Sequence, residues 1–314
     1  MITDEQPRDL ITRTVEKFRR SQEKKRELIQ YLVRNKPNLI KSFWKRKRIK
    51  DCGSVLLFEQ SASWEQKLKS GSFCKYDKFC LACSTRRAIK MIQRFESFIK
   101  EKELTTKNWY YIVLTIKHGY NDKLGDLLSK LTNAKNKLAR AYRNGKRTNQ
   151  KTKSFFSQFD GMVSSIEVTK NKNGRHPHLN LLVCTDKEVQ IDDWKYRSPN
   201  GKISHTNEQI RDEWKKITGD SFIHNIRKIV VSQDYFSLDG IGEVFKYAVK
   251  FSSLAVDQLA EIVELQQKKK YRFYDTYWLF RKMGSTRTNY ESAFPILQKT
   301  FQYVDSAYQE IESS

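Results

Sequence analysis

The sequence predicts an α+β fold: an antiparallel sheet flanked by helices, carrying an N-terminal helical and cysteine-containing extension. Three observations predict it. Residues 161–170 and 176–185 read as strands joined by Asn171-Lys172-Asn173-Gly174, a polar, glycine-ended segment of the kind that turns a hairpin. Trp109 to Lys117 is a β-branched and aromatic run, the composition of a buried strand. Between and around these lie longer segments of helical spacing, giving the order β-α-β-β-α-β-α through the middle of the chain and so a sheet with helices packed on it.

In chain order, residues 8–35 read as a charged helix with Leu10, Ile11, Val15, Phe18, Leu28, Ile29, Leu32 and Val33 as its apolar stripe, stopped at Asn35-Lys36-Pro37. Lys41 to Lys50 is densely basic and contains Phe43 and Trp44. It reads equally as a solvated linker or as a DNA contact through Lys45, Arg46, Lys47 and Arg48. Asp51-Cys52-Gly53 opens a strand over Ser54 to Phe58. Cys74, Cys80 and Cys83 precede a helix from about Ser84 to Lys100, and a basic amphipathic helix is expected over Lys123 to Arg143, with a polar loop from Asn144 to Lys153. After the hairpin come a helix over 206–218, a strand over Phe222 to Ser232, a helix over Leu238 to Phe251 and a charged helix over 254–270. The expected division is a basic helical segment 1–50, a cysteine module 51–104, a catalytic domain 105–255 and a C-terminal helical extension 256–314.

Charge is the outlier of the composition. Sixty Lys and Arg against 36 Asp and Glu leave a net +24 over 314 residues. An excess of this size points to a polyanionic partner, because each neutralised phosphate releases condensed counterions. Nucleic acid is the expected partner. No apolar run approaches the ~20 residues that span a bilayer, and the N-terminal residues lack an apolar signal core, so no membrane partner and a cytoplasmic location are expected. In that compartment the five cysteines are not disulfide staples, and Cys80-x-x-Cys83 is a metal or redox motif.

Three groups of residues carry the chemistry. His176, His178 and Asn180 alternate along a strand and so share a face. Glu167, on the paired strand, reaches the same face. Imidazole with carboxylate and amide oxygen suits Mn²⁺ or Mg²⁺, though paired histidines also occur as plain exposed strand residues. Pro177 marks the strand as an edge or a strand start. In the second group, helical spacing places Glu243, Tyr247 and Lys250 on one face. A tyrosine of ordinary pKa about 10 is a poor attacker unless a cation favours its phenolate, which Lys250 one turn along would do; otherwise Tyr247 is a half-buried helix residue. Third, Cys74, Cys80 and Cys83, with Cys52 as the fourth ligand, supply the donor set of a structural zinc site. The alternatives are reduced thiols or a redox pair. Cys184 reads as a core residue.

Taken together these residues resemble the rolling-circle plasmid replication initiators of the HUH endonuclease superfamily, single-tyrosine subgroup. Ile112-Val113-Leu114-Thr115-Ile116 is similar to that family's first sheet motif, His176-Pro177-His178-Leu179-Asn180 to its metal motif, and Tyr247-Ala248-Val249-Lys250 to its Tyr-x-x-Lys motif. Asp51-Cys52-Gly53 and the cysteine segment followed by Arg86-Arg87 are similar to the N-terminal part of one subgroup. The resemblance covers roughly residues 50–255. One departure stands out: Asn180 occupies the place of the second motif histidine, with His176 as a substitute donor outside the minimal motif.

The resemblance implies a metal-dependent, sequence-specific nickase. Tyr247 would attack DNA, leaving a 5′-phosphotyrosine and a free 3′-hydroxyl. Glu243 would activate water for the closing hydrolysis, unless it is only a surface partner of Lys246 or Lys250. Implied partners are origin DNA, double-stranded with an exposed single-stranded nick site, and the host helicase, polymerase and single-strand binding protein. Arg86 and Arg87, with the basic segment, would help to dock the DNA. A relaxase or transposase of the same superfamily, or a non-enzymatic zinc-containing DNA-binding regulator, are the competing readings.

Overall fold

The computed structural model describes residues 10–40, 43–60, 66–76, 80–147, 154–171, 174–197, 203–229, 254–269, 271–285 and 297–311. Its contacts divide the chain into two compact units, neither continuous in sequence. One comprises Met1–Ile89, Phe251–Lys270 and Asn289–Ser314, the other Lys90–Lys250 and Tyr271–Thr288. The architecture is α+β with antiparallel sheets flanked by helices.

In the first unit, α1 (Leu10–Asn35) follows the predicted stripe, with Ile11, Phe18, Leu28 and Leu32 buried at helical spacing. The basic run is a helix as well, α2 (Phe43–Lys50), rather than a linker. A four-stranded sheet follows, ordered β11-β10-β1-β2, from β1 (Val55–Gln60), β2 (Gln66–Gly71), β10 (Leu297–Val304) and β11 (Ala307–Ile311). β1 pairs antiparallel with β10 along its length, Val55 opposite Gln302 and Gln60 opposite Leu297. α6 (Val256–Lys269) packs on α1, where Lys36 pairs with Glu264. The stretch 256–314, expected as a helical extension, is helical only at its start; after α6 it supplies strands to both sheets. Its Tyr, Thr, Phe and Val residues favour strands once a neighbouring edge is there to pair with.

The second unit is built on a five-stranded sheet, ordered β8-β3-β5-β4-β9, from β3 (Asn108–Thr115), β4 (Gly161–Asn171), β5 (Gly174–Thr185), β8 (His224–Ile229) and β9 (Tyr274–Trp278). The predicted hairpin is present, β4 and β5 pairing in unbroken register from Gly161 opposite Cys184 to Asn171 opposite Gly174. Trp109, Tyr111, Val163, Leu182 and Cys184 on one face meet Phe95, Phe98 and Ile99 from the second half of α3 (Leu81–Glu101). α4 (Leu124–Arg147) lies on the other face, burying Leu127, Leu128, Leu131, Leu138 and Tyr142. It extends four residues into the expected polar loop. Midway along α4, Lys135, almost wholly buried, pairs with Asp275 of β9. A two-stranded ribbon, β6 (Asp192–Arg197) with β7 (Ile203–Thr206), precedes α5 (Glu208–Thr218), whose Asn207 cap accepts the Ile210 N–H at 3.0 Å.

Pro177 does not mark an edge, because β5 is the middle strand of five. Pairing with β3 ends at Thr115 opposite His178, however. Pro177 therefore lies one residue past the end of that neighbour, where a residue without an N–H interrupts no β3–β5 ladder.

Candidate functional site

The hairpin register sets Glu167 directly opposite His178 and Ser165 opposite Asn180. Directly paired residues share a face and stand about 5 Å apart at Cβ, so the register alone gathers Glu167, His178 and Asn180. Glu167 and Asn180 are buried, at 6% and 1% exposure. The Asn180 amide donates to Glu167 Oε2 at 3.1 Å, and His178 Nε2 stands 3.6 Å from the same oxygen. The other polar atoms of the pair, His178 Nδ1 and Asn180 Oδ1, are buried without a hydrogen-bond partner among the described residues. Unspent imidazole and amide lone pairs beside a carboxylate are the donor set of a hard divalent cation, so these residues fit Mn²⁺ or Mg²⁺.

His176 continues the row, its ring meeting His178 edge-on at 4.7 Å between centroids. Burial, then the neighbouring His178 and His118, lowers its pKa to about 3, so the ring stays neutral at ordinary pH. His118 was not among the residues singled out from the sequence. It lies three residues past β3 and stacks on His176 at 4.5 Å and 22°. Because Ile116 O can only accept, the 3.2 Å contact places a proton on His118 Nδ1. Nε2, the other ring nitrogen, is buried and without a partner among the described residues. The signal for His118 was its place just after the first sheet motif, where a strand adjoining the histidine strand ends.

Tyr247, Glu243 and Lys250 lie outside the described residues, as do the side chains of Lys45 and Arg46. Lys47, Arg48 and Arg87 are exposed and Arg86 is half-buried. Two of these cations brace the cysteine segment. Arg48 donates to Cys74 O at 3.3 Å and sits 5.4 Å from the Tyr76 ring centroid, and Arg86 lies 4.4 Å over Phe73.

Cys52, Cys74, Cys80 and Cys83 come together from three segments: the turn after α2, the loop after β2, and the start of α3. All four are buried, and their sulfurs lie within 4.8 Å of one another. Cys52 and Cys74 stand 3.4 and 3.6 Å from Cys83, sulfur to sulfur. Four thiolates around one zinc ion, with Zn–S bonds of about 2.3 Å, would be about 3.8 Å apart. The group can therefore hold a tetrahedral metal such as zinc with little movement. Hydrogen bonding within the cluster splits the thiols, holding Cys74 and Cys83 down, chiefly through Cys52, and pushing Cys52 and Cys80 up, chiefly through Cys74 and Cys52. Four buried thiols cannot all ionise unaided; a divalent cation removes that restriction. Beside them Lys25 is fully buried, donating to Cys52 O at 2.7 Å and Lys50 O at 2.9 Å. Gly53 (φ +74) holds the turn, where a Cβ would come 2.7 Å from Gln22 Nε2. Among the described residues only the four cysteines gather three or more His, Cys, Asp or Glu ligand atoms this closely. Cys184 is a core residue whose thiol burial pushes up to about 12. No described helix is long and apolar enough to cross a membrane.

A family model described as a replication protein matches residues 65–298. "Protein rep" of Lentilactobacillus hilgardii is 28% identical over 164 residues, 51% of this chain and 48% of that protein. The chain thus spans about half the length of this curated relative. No solved structure matches it.

Proposed function

Because the chain belongs to this replication-protein family, we propose that it initiates plasmid replication by nicking one strand of origin DNA through a covalent tyrosine intermediate. The observation that carries the reading is the buried Glu167–His178–Asn180 knot, which lies inside the matched stretch and leaves imidazole and amide lone pairs unspent. With His176 these residues would hold Mn²⁺ or Mg²⁺, a cation that polarises the scissile phosphate. Tyr247 Oη attacks phosphorus and the P–O3′ bond breaks. The departing 3′-oxygen takes up a proton and becomes the primer end for a host polymerase, while the 5′ end stays on Tyr247. Lys250, three residues along the chain, steadies the phenolate and the charge that develops. Glu243 takes a proton from water in the closing step, which hydrolyses the last phosphotyrosine bond.

The cysteine group serves as a structural zinc module in this reading. Lys45, Arg46, Lys47, Arg48, Arg86 and Arg87 contribute phosphate contacts that position the origin without reading its sequence. Tyr247→Phe keeps the ring and removes the nucleophile, so it should bind origin DNA as the parent does and form no covalent adduct. Mass spectrometry of the DNA-bearing peptide is the check, and an adduct on any other tyrosine overturns the assignment.

A further inference from the structure

Six large apolar side chains are exposed among the described residues, and three of them, Tyr120 (72%), Phe222 (51%) and Ile223 (49%), lie on two adjoining loops at the histidine end of the five-stranded sheet. Single exposed apolar residues are ordinary. Three on neighbouring loops beside a candidate phosphate site are not scatter. The loops are joined: Lys117 N donates to Ser221 Oγ at 2.8 Å, and Thr115 gives Ile223 O both its N–H, at 3.1 Å, and its hydroxyl, at 3.0 Å. Thr115 is in turn the residue opposite His178.

Both loops are also held rigid. Gly119 N–H is capped by Asp122 at 2.7 Å, and His118 is anchored on His176. The backbone of Tyr120 is seated so closely on Gly174 (φ +98) that a Cβ there would come within 3.0 Å of it. On the other loop, Thr218 and Ser221 exchange hydrogen bonds of 3.0 Å each way, and Asp220 is fixed by Lys130 at 2.7 Å. A fixed backbone with its aromatic rings in solvent is arranged to meet something planar. Lys117 and Lys123 are exposed on the same loop as Tyr120, which supplies the charge for a phosphate backbone. Phe222 and Ile223 also line a cavity of about 540 Å³ with Asp192, Asn207, Arg211 and His224, a space of the size that takes small-molecule groups.

We propose that Tyr120, Phe222 and Ile223 form a stacking surface for unpaired bases of single-stranded DNA. The position of that strand, next to the scissile phosphate, rests on the nicking reading; the stacking itself does not. Base–aromatic stacking tolerates any sequence, because every base has a π-face.

The test uses the full chain and a fluorescein-labelled oligothymidylate in an anisotropy titration, with a duplex of random sequence as the control. Tyr120→Ala and Phe222→Ala should each weaken oligothymidylate binding about tenfold while leaving duplex binding and Tm unchanged, and Tyr120→Trp should bind at least as tightly as the parent. Photo-crosslinking with 5-iodouracil in the same oligonucleotide should mark Tyr120 or Phe222. Undiminished oligothymidylate binding by both alanine variants overturns the proposal, as does an equal loss for duplex and single strand, which would make the loops a general electrostatic patch. If Tyr120→Ala loses single-strand binding while Tyr247→Phe still forms an adduct, the nicking reading fails and the stacking surface stands. The converse, normal nicking chemistry with stacking variants that bind as the parent does, removes the stacking surface alone.

Discussion

Cys52, Cys74, Cys80 and Cys83 arrive from three separate segments and close four sulfurs to within 4.8 Å, all of them buried. Glu167, His178 and Asn180 stand instead on one hairpin, tied by a 3.1 Å hydrogen bond and a 3.6 Å imidazole–carboxylate contact, with lone pairs left over. The first arrangement has the pattern of a site that spends every ligand on the metal. The second retains donors and has the pattern of a site that leaves room for a substrate oxygen. The donor atoms agree, since sulfur suits zinc, and nitrogen with oxygen suits a hard cation that exchanges water. The difference teaches that removing metal should have separate consequences for the two groups, stability for the cysteines and chemistry for the hairpin.

The largest expected effect tests the cysteine half. Zinc should co-purify at about one ion per chain. Stripping it, or making Cys80→Ser, should cost about 4 kcal/mol or more of unfolding free energy, the range reached when a structural metal is lost. Denaturant unfolding with elemental analysis checks this. A zinc-free protein of undiminished stability would make the cysteines ordinary buried thiols and abolish the contrast.

Next comes the hairpin. His178→Ala should lower divalent-dependent nicking by about 10²–10³-fold, with origin affinity nearly unchanged because phosphate contacts dominate binding. Its Tm should stay within a few degrees of the parent's, unlike that of Cys80→Ser. Asn180→His sharpens the comparison further: an imidazole in place of the amide should raise activity at limiting Mn²⁺, read from a metal titration of nicking.

The smallest effect concerns acid sensitivity that owes nothing to metal. Buried His224 donates from Nδ1 to Phe222 O and accepts the Asn207 N–H at Nε2, at 3.2 and 2.9 Å, an arrangement open only to the neutral ring. Burial lowers its pKa below the ordinary 6.5. The unfolded chain therefore takes up this proton first as pH falls, and stability declines from about pH 6.5 downward until the folded ring titrates. The slope is at most about 1.4 kcal/mol per pH unit. His224→Asn should flatten that slope in unfolding curves measured between pH 7 and 5, with chelator present. An unchanged slope would move the acid sensitivity elsewhere.

The hairpin and β3 were legible because their apolar residues are dense and their turn is polar and ends in glycine, so local pattern and global fold agree. β2 was not. Gln66-Lys67-Leu68-Lys69-Ser70-Gly71 has one apolar side chain, and it is a strand because β1 offers it an edge. β10 and β11 were missed for the same reason: their pairing partners are each other and a strand some 240 residues away, which no local window contains. The cysteines were legible as a ligand set from residue type, whereas their closeness depends on the turn that Gly53 makes. Glu167 was legible from hairpin register. His118 was hidden because it lies beyond the end of a strand, where periodicity stops pointing anywhere. Tyr247, Glu243 and Lys250 rest on sequence spacing and on the family, and the adduct experiment is what tests them.

The antiparallel pairing of β1 with β10 also sets a timetable for biosynthesis. Val55 meets Gln302, and Gln60 meets Leu297. The five strands of the second unit's sheet have all been made by Trp278, so that sheet has its full set of strands while β1 still waits for its neighbour to be made. Chains emerge at roughly 5–20 residues per second, a slow pace beside the microsecond formation of a hairpin. During that interval β1 presents an unpaired edge and the cysteines beside it lack their finished surroundings. A message cut short before residue 297 would yield a chain with the histidine hairpin intact and the first sheet unable to close.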